Sequence, residues 1–178
     1  NTIYEKIKSD IAPYDPNEEL NAIWVNSRGA IPRFDRGSIE IRIMDIQECP
    51  AADLAAVALV IETIKALAAN EFTSLENQMK WKTESLAQIL DQTMRSGQLA
   101  ILDNAEYLAL FDFPENRASA SELWHHIFQE LVKKGNPVLE AYRKELNALI
   151  KEGTLAFRIV KAIGSDQSMA NIVNVYRK

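Results

Sequence analysis

From Ser38 to Ile43 apolar and polar residues alternate, with Ile39, Ile41 and Ile43 interleaved by Glu40 and Arg42, which predicts a half-buried strand. The β-branched and aromatic run Ile23-Trp24-Val25-Asn26-Ser27-Arg28 predicts a second strand beside it. Between them, Gly29 to Gly37 is interrupted by Pro32 and is too long for a two-residue hairpin turn, so it reads as a connecting loop. Upstream, residues 10–20 carry Pro13 and Pro16 among turn formers and also read as a loop.

After Pro50 the period changes. Ala51 to Ala69 is rich in Ala and Leu and apolar around nearly its whole circumference, which predicts a central, buried helix entered through Pro50. Asp53, Glu62 and Lys65 interrupt it, and a membrane span needs an apolar run of about 20 residues. Thr73-Ser-Leu-Glu76 has capping-box spacing and opens a more polar helical stretch through Trp81 to Met94, closed by Gly97. Leu99–Leu102 and Tyr107–Phe111 fit a second small hairpin, and the latter fits a helix nearly as well. Ser119-Ala-Ser-Glu122 is another capping box, opening a helix with Leu123, Ile127, Leu131 and Val132 near one face and Gly135 beyond its end. Helices then follow from Asn136-Pro137 to Gly153, from Thr154 to Gly164, and from Ser168 onward through Lys178. The fold class is therefore α+β: a small antiparallel sheet portion packed by a predominantly helical C-terminal half.

Composition narrows the function classes. The chain has 178 residues, 47% hydrophobic and 25% charged, and a formal net charge of −5. That balance excludes a disordered tail, and it argues against a broad nucleic-acid surface, which draws its affinity from clustered cations. The single cysteine, Cys49, cannot form an internal disulfide, fits a cytoplasmic location, and is expected to be a small buried side chain rather than a nucleophile. The N-terminus has neither an initiating Met nor the order of a signal peptide, so the chain is expected to start within a longer protein.

The six glycines are too dispersed for a phosphate loop or a dinucleotide fingerprint. His125 and His126 are neighbours about 100° apart around a helix, which suits surface or packing roles better than metal binding. The residual candidate is the strand pair. Strand alternation places Glu40 and Arg42 on one face, roughly 6.5–7 Å apart, and leaves the isoleucines of the other face to pack under the apolar helix. Arg28, Arg33 and Arg36 are close in sequence, and no lysine falls between residues 28 and 42. Arginine presents a rigid fork that binds phosphate or carboxylate with two parallel hydrogen bonds, and a nearby glutamate suits Mg²⁺. Solvated cross-strand ion pairs fit the same spacing, so an anion site and an exposed ionic face both stay open.

Residues 24–47 also carry a resemblance. Trp24-Val-Asn-Ser-Arg28, Pro32-Arg33-Phe34 and Gly37-Ser-Ile-Glu40-Ile-Arg42-Ile-Met-Asp45-Ile-Gln47, followed by Asp53 and an Ala/Leu/Val helix, resemble the bacterial carboxylate-amine ligases of the second glutamate-cysteine ligase family. Glu152-Gly-Thr154-Leu-Ala and Val175-Tyr176-Arg177 are similar to its final helices, whereas Asn26 to Ala30 stands where many members have an Arg-Pro-His-like sequence.

The resemblance implies a glutamine synthetase-like catalytic fold, of which residues 1–178 would be a C-terminal portion, with strands in 1–47 and helices in 50–178. It implies a cytoplasmic ligase of glutathione-type biosynthesis that uses ATP and Mg²⁺ to join glutamate to an amine acceptor such as cysteine through an acyl phosphate. In that scheme Glu40 ligates the metal, Arg42 contacts the transferred phosphoryl group or the substrate carboxylate, and Arg28 and Arg33 face nucleotide phosphates. No nucleic acid or membrane partner is expected, a homo-oligomer is left open, and the chain alone is expected to be inactive because one carboxylate cannot hold the required metals. The competing reading is a non-catalytic helical interaction or regulatory module.

Overall fold

A computed structural model describes residues 2–166 and 168–177, so the expected continuation of the last helix through Lys178 lies outside the described residues. The chain divides into two compact units, residues 1–45 and 46–178, and is mixed α+β as expected. Among the described residues the sheets are two antiparallel pairs.

The first unit opens with α1 (Thr2–Ile11), which absorbs the start of the expected loop, and a single 3₁₀ turn at Ala12–Tyr14. Its hairpin is formed by β1 (Ala30–Arg33) and β2 (Ser38–Ile41), in register Ala30↔Ile41, Ile31↔Glu40, Pro32↔Ile39 and Arg33↔Ser38. The sequence reading is corrected here: Ile23–Arg28 is turn and irregular chain, and the partner strand lies in the stretch expected to be loop. The reason is the turn. Phe34 to Gly37 closes on itself through the Arg36 N–H donating to the Arg33 carbonyl at 3.0 Å, and Gly37 takes φ +59°. That turn fixes the register, and Pro32 is tolerated because a two-stranded hairpin has open edges.

The second unit is helical. Its first helix, α2 (Pro50–Ala68), matches the expected span, but it is buried on one face only. Ala52, Ala55, Ala58, Leu59, Thr63 and Ala66 face inward, while Leu54, Val57, Ile61 and Ile64 are exposed. Alanine on the inner face lets α2 come close to its neighbours, and the bulkier side chains are left outside. Cys49, just before α2, is exposed rather than buried.

Ser74, not Thr73, caps α3 (Leu75–Met79), which breaks before α4 (Thr83–Ser96). β3 (Ile101–Leu102) pairs with β4 (Ala118–Ser119), and Tyr107 lies in α5 (Ala105–Ala109), so the helical alternative for that run is the observed one. α6 (Ala120–Lys133) carries the expected capping box, with Ser119 accepting from the Glu122 N–H and Glu122 accepting from the Ser119 N–H. It buries Leu123, Ile127, Phe128 and Leu131. α7 (Pro137–Ala141), α8 (Arg143–Glu152), α9 (Leu155–Ile163) and α10 (Met169–Tyr176) follow. The core gathers Ala55, Leu59, Leu108, Leu123, Phe128, Leu139 and Leu146 where α2, α6, α7 and α8 meet. Among the described residues, no helix is long and apolar enough to cross a membrane.

Candidate functional site

The hairpin turns its two faces the opposite way from the expectation. Ile39 is 65% exposed, and Ile41 and Ile43 are exposed too, so they form no part of a core. Opposite strand partners share a face, so Ile31, Arg33, Glu40 and Arg42 project together. Ile31 is fully buried, and the Arg33 side chain is only 15% exposed. The ionic face is therefore the sheltered one.

Glu40 lies between two guanidinium groups. Arg33 Nη1 donates to Glu40 Oε2 at 2.6 Å, and Arg42 Nε donates to Glu40 Oε1 at 2.8 Å. These hydrogen bonds hold the Glu40 carboxyl below the usual glutamate range, with Arg33 the larger influence and Arg42 the second. Arg33 uses its other edge on Asp35, donating from Nε to Oδ1 at 3.0 Å and from Nη2 to Oδ2 at 2.9 Å. That contact lowers the Asp35 pKa, and Asp35 and Glu40 together raise that of Arg33.

Asn26 joins the remaining arginine to the network. It is 1% exposed, its carbonyl accepts from Arg42 Nη1 at 2.8 Å, and its Oδ1 accepts from Arg28 Nη1 at 3.1 Å and from the Arg28 N–H at 3.3 Å. All four predicted site residues, Arg28, Arg33, Glu40 and Arg42, thus belong to one connected cluster. Sequence reasoning missed Asn26 and Asp35 as members. Asn26 sits two residues before Arg28 and offers both a side-chain and a backbone acceptor, but only the fold brings it to Arg42.

Four arginines against Asp35 and Glu40 leave the segment 28–42 with a net charge of +2 inside a chain of −5. Such a cluster can orient a phosphate or a carboxylate. Both Glu40 oxygens are already engaged by guanidinium groups, and no group of three or more metal-ligating side chains occurs among the described residues. As arranged, the residues present do not make a metal site on their own. Each Glu40 oxygen keeps a second lone pair, but the two guanidinium groups beside the carboxylate repel a further cation.

In the helical unit an open groove of about 510 Å³ runs along α6, lined by Phe113, Glu122, His125, His126, Lys133 and Lys151 among others. His126 has a packing role, with Nε2 at 2.9 Å from the Phe111 carbonyl and its ring edge-on to Phe113 at 5.1 Å. The groove shares no residue with the arginine cluster.

Fold and site together define a mixed α+β protein with an arginine–carboxylate network on a β-hairpin. No family model matches the chain, and no solved structure matches it. It is similar to an uncharacterized protein of Archaeoglobus fulgidus, 39% identical over 74 residues, which are 42% of this chain and 18% of that protein. The chain thus matches less than a fifth of the length of this curated relative.

Proposed function

We propose that this chain is part of an ATP-dependent carboxylate-amine ligase of the glutamate-cysteine ligase type, working in the cytoplasm. In the reaction, a glutamate carboxylate attacks the terminal phosphorus of ATP and releases ADP. An amine such as cysteine then displaces phosphate from the acyl phosphate, losing a proton as the amide forms. The observation that carries the reading is the Arg33–Glu40–Arg42–Asn26–Arg28 cluster, formed by the hairpin and the irregular chain just before it, in the stretch that resembles the ligase family.

Arg42 holds the transferred phosphoryl group or the substrate carboxylate, and Arg28 and Arg33 address nucleotide phosphates. Phosphoryl transfer depends mainly on positioning and charge neutralisation, which fixed guanidinium groups supply. Mg²⁺ would neutralise phosphate charge. Glu40 would contribute one ligand, the other carboxylates coming from outside this chain.

The test is glutamate- and amine-dependent ADP release by the full-length protein with a panel of amine acceptors. Arg42→Ala is expected to reduce it by at least about a hundredfold, the order of loss for one transition-state donor, and Glu40→Gln to abolish metal-dependent turnover, an unchanged rate rejecting Glu40 as a ligand. Turnover unchanged by Arg42→Ala overturns the reading.

The exposed isoleucines favour a second reading, in which the hairpin is an interaction edge of a non-catalytic module. A full-length protein with no ADP release for any acceptor, which self-associates or captures a partner through Ile39 and Ile41, would support it.

A further inference from the structure

The edge of Arg33 best suited to a ligand already carries one. Nε and Nη2 form two parallel hydrogen bonds to Asp35, at 3.0 and 2.9 Å, the arrangement with which a guanidinium receives a phosphate or a carboxylate ligand. The two partners are not equally fixed. The Arg33 side chain is sheltered and held from its other nitrogen by Glu40 at 2.6 Å. Asp35 stands in the four-residue turn, its side chain is 53% exposed, and Gly37 two residues on supplies the positive φ that the turn requires. A second cation is also within reach of the aspartate, since Arg36 Nε lies 3.6 Å from Asp35 Oδ2. An arriving anion would therefore displace the aspartate and leave the arginine in place.

We propose that Asp35 is an internal pseudo-ligand: it fills the Arg33 fork with its own carboxylate, and a phosphate chain binds there by displacing it toward Arg36. The inference rests on the reading that Arg33 receives nucleotide phosphates, and it adds a residue that sets the affinity of that contact. A competing intramolecular contact lowers the apparent affinity by the fraction of molecules in which the fork is free. Removing the aspartate's charge should therefore tighten phosphate binding, and only through Arg33.

The experiment titrates the 178-residue chain with tripolyphosphate at 0.15 M salt, by calorimetry and by following the Arg33 Nε–H signal in NMR spectra. Asp35→Asn is expected to bind about fivefold more tightly than the unaltered chain, the upper range for a partly exposed ion pair. Asp35→Ser should do the same with a shorter neutral side chain, which guards against a turn that tolerates only one replacement. The gain should vanish in Asp35→Asn/Arg33→Ala. Asp10→Asn, which removes one negative charge paired instead with Lys6, should change affinity less than twofold.

The proposal is overturned if Asp35→Asn and Asp10→Asn give equal gains, if the gain survives without Arg33, or if no variant binds at 10 mM tripolyphosphate. Its failure is separable from that of the ligase reading. Tighter binding by Asp35→Asn together with a full-length protein that releases no ADP removes the ligase and keeps the pseudo-ligand. Arg42-dependent ADP release with affinity unmoved by Asp35→Asn does the reverse.

Discussion

Gly153 ends α8 with φ 90° and ψ 175°, a backbone region that side chains with a Cβ essentially do not enter. A Cβ there would also overlap the Gln98 side chain, whose Oε1 is buried without a hydrogen-bond partner among the described residues. Gln98 is flexible and can move aside, so the backbone conformation decides the cost. Gly153→Ala is expected to lower unfolding free energy by about 1–3 kcal/mol in urea melts. Most of that loss should persist in Gly153→Ala/Gln98→Ala; full rescue by the second change would show that the contact, not the backbone, was responsible. The sequence marked Gly153 as a helix stop, and it marked Glu40 and Arg42 as neighbours on one strand face. It could not reveal which face is sheltered. Period-two alternation divides polar from apolar but carries no sign, and the isoleucines, which hydrophobicity would send inward, are the exposed set. Asn26 was illegible for another reason: its partner Arg42 is 16 residues away and meets it only once the hairpin has formed.

At the scale of elements, α7 has only five residues, too few to stand by propensity, so its end and its packing must hold it. Asn136 does both. Its Oδ1 accepts from the Val138 and Leu139 N–H groups at 3.1 Å, and its Nδ2 donates to Glu62 Oε2 on α2 at 2.6 Å. Asn136→Ala is expected to lower stability by about 1–2 kcal/mol, the upper range for loss of a cap. Asn136→Asp keeps the capping oxygens but sets a carboxylate against Glu62, so its loss at pH 7 should shrink as the pH falls toward 5 and one of the pair takes up a proton. A pH-independent loss in Asn136→Asp would mean that the tie to Glu62 contributes nothing. The Asn-Pro start of this helix was readable because capping chemistry is local, as was the Ser119/Glu122 box. The breaks between α3 and α4 and between α7 and α8 were not, because residues 80–82 and Tyr142 carry neither proline nor glycine. The strand Ala30–Arg33 was hidden for a related reason, since Ala and Pro are poor strand formers and the turn at Phe34–Gly37 imposes the pairing.

For the molecule as a whole, acid is the condition that acts on both units at once. In the first unit Asp35 and Glu40 have lowered pKa values through Arg33, and in the second Glu62 is lowered by hydrogen bonds from Lys65 and then Asn136, and Glu122 by those from the Ser119 backbone and then its hydroxyl. A carboxyl whose folded pKa is depressed binds fewer protons in the native state than in the unfolded chain, so its contribution is fully present above the unfolded value. For the glutamates that value is 4.5 and for Asp35 it is 3.8. The contribution is then lost as the pH falls through each folded pKa. Over the same interval the chain, with 20 Lys and Arg, turns from net acidic to strongly cationic, and self-repulsion adds to the loss. The urea midpoint followed by far-UV circular dichroism, which reads the helices, should be nearly constant from pH 7 to 5 and fall steadily from about 4.5 to 3. In parallel, the Arg33 Nε–H signal in NMR spectra should keep its hydrogen-bonded shift until the pH is below 3.8, the ordinary aspartate value, and lose it only as the acid-shifted Asp35 is protonated. A urea midpoint that holds down to pH 3 would mean that these carboxylates are no better placed in the folded chain than in the unfolded one, and the ion-pair network would then be a consequence of the hairpin and not one of its supports.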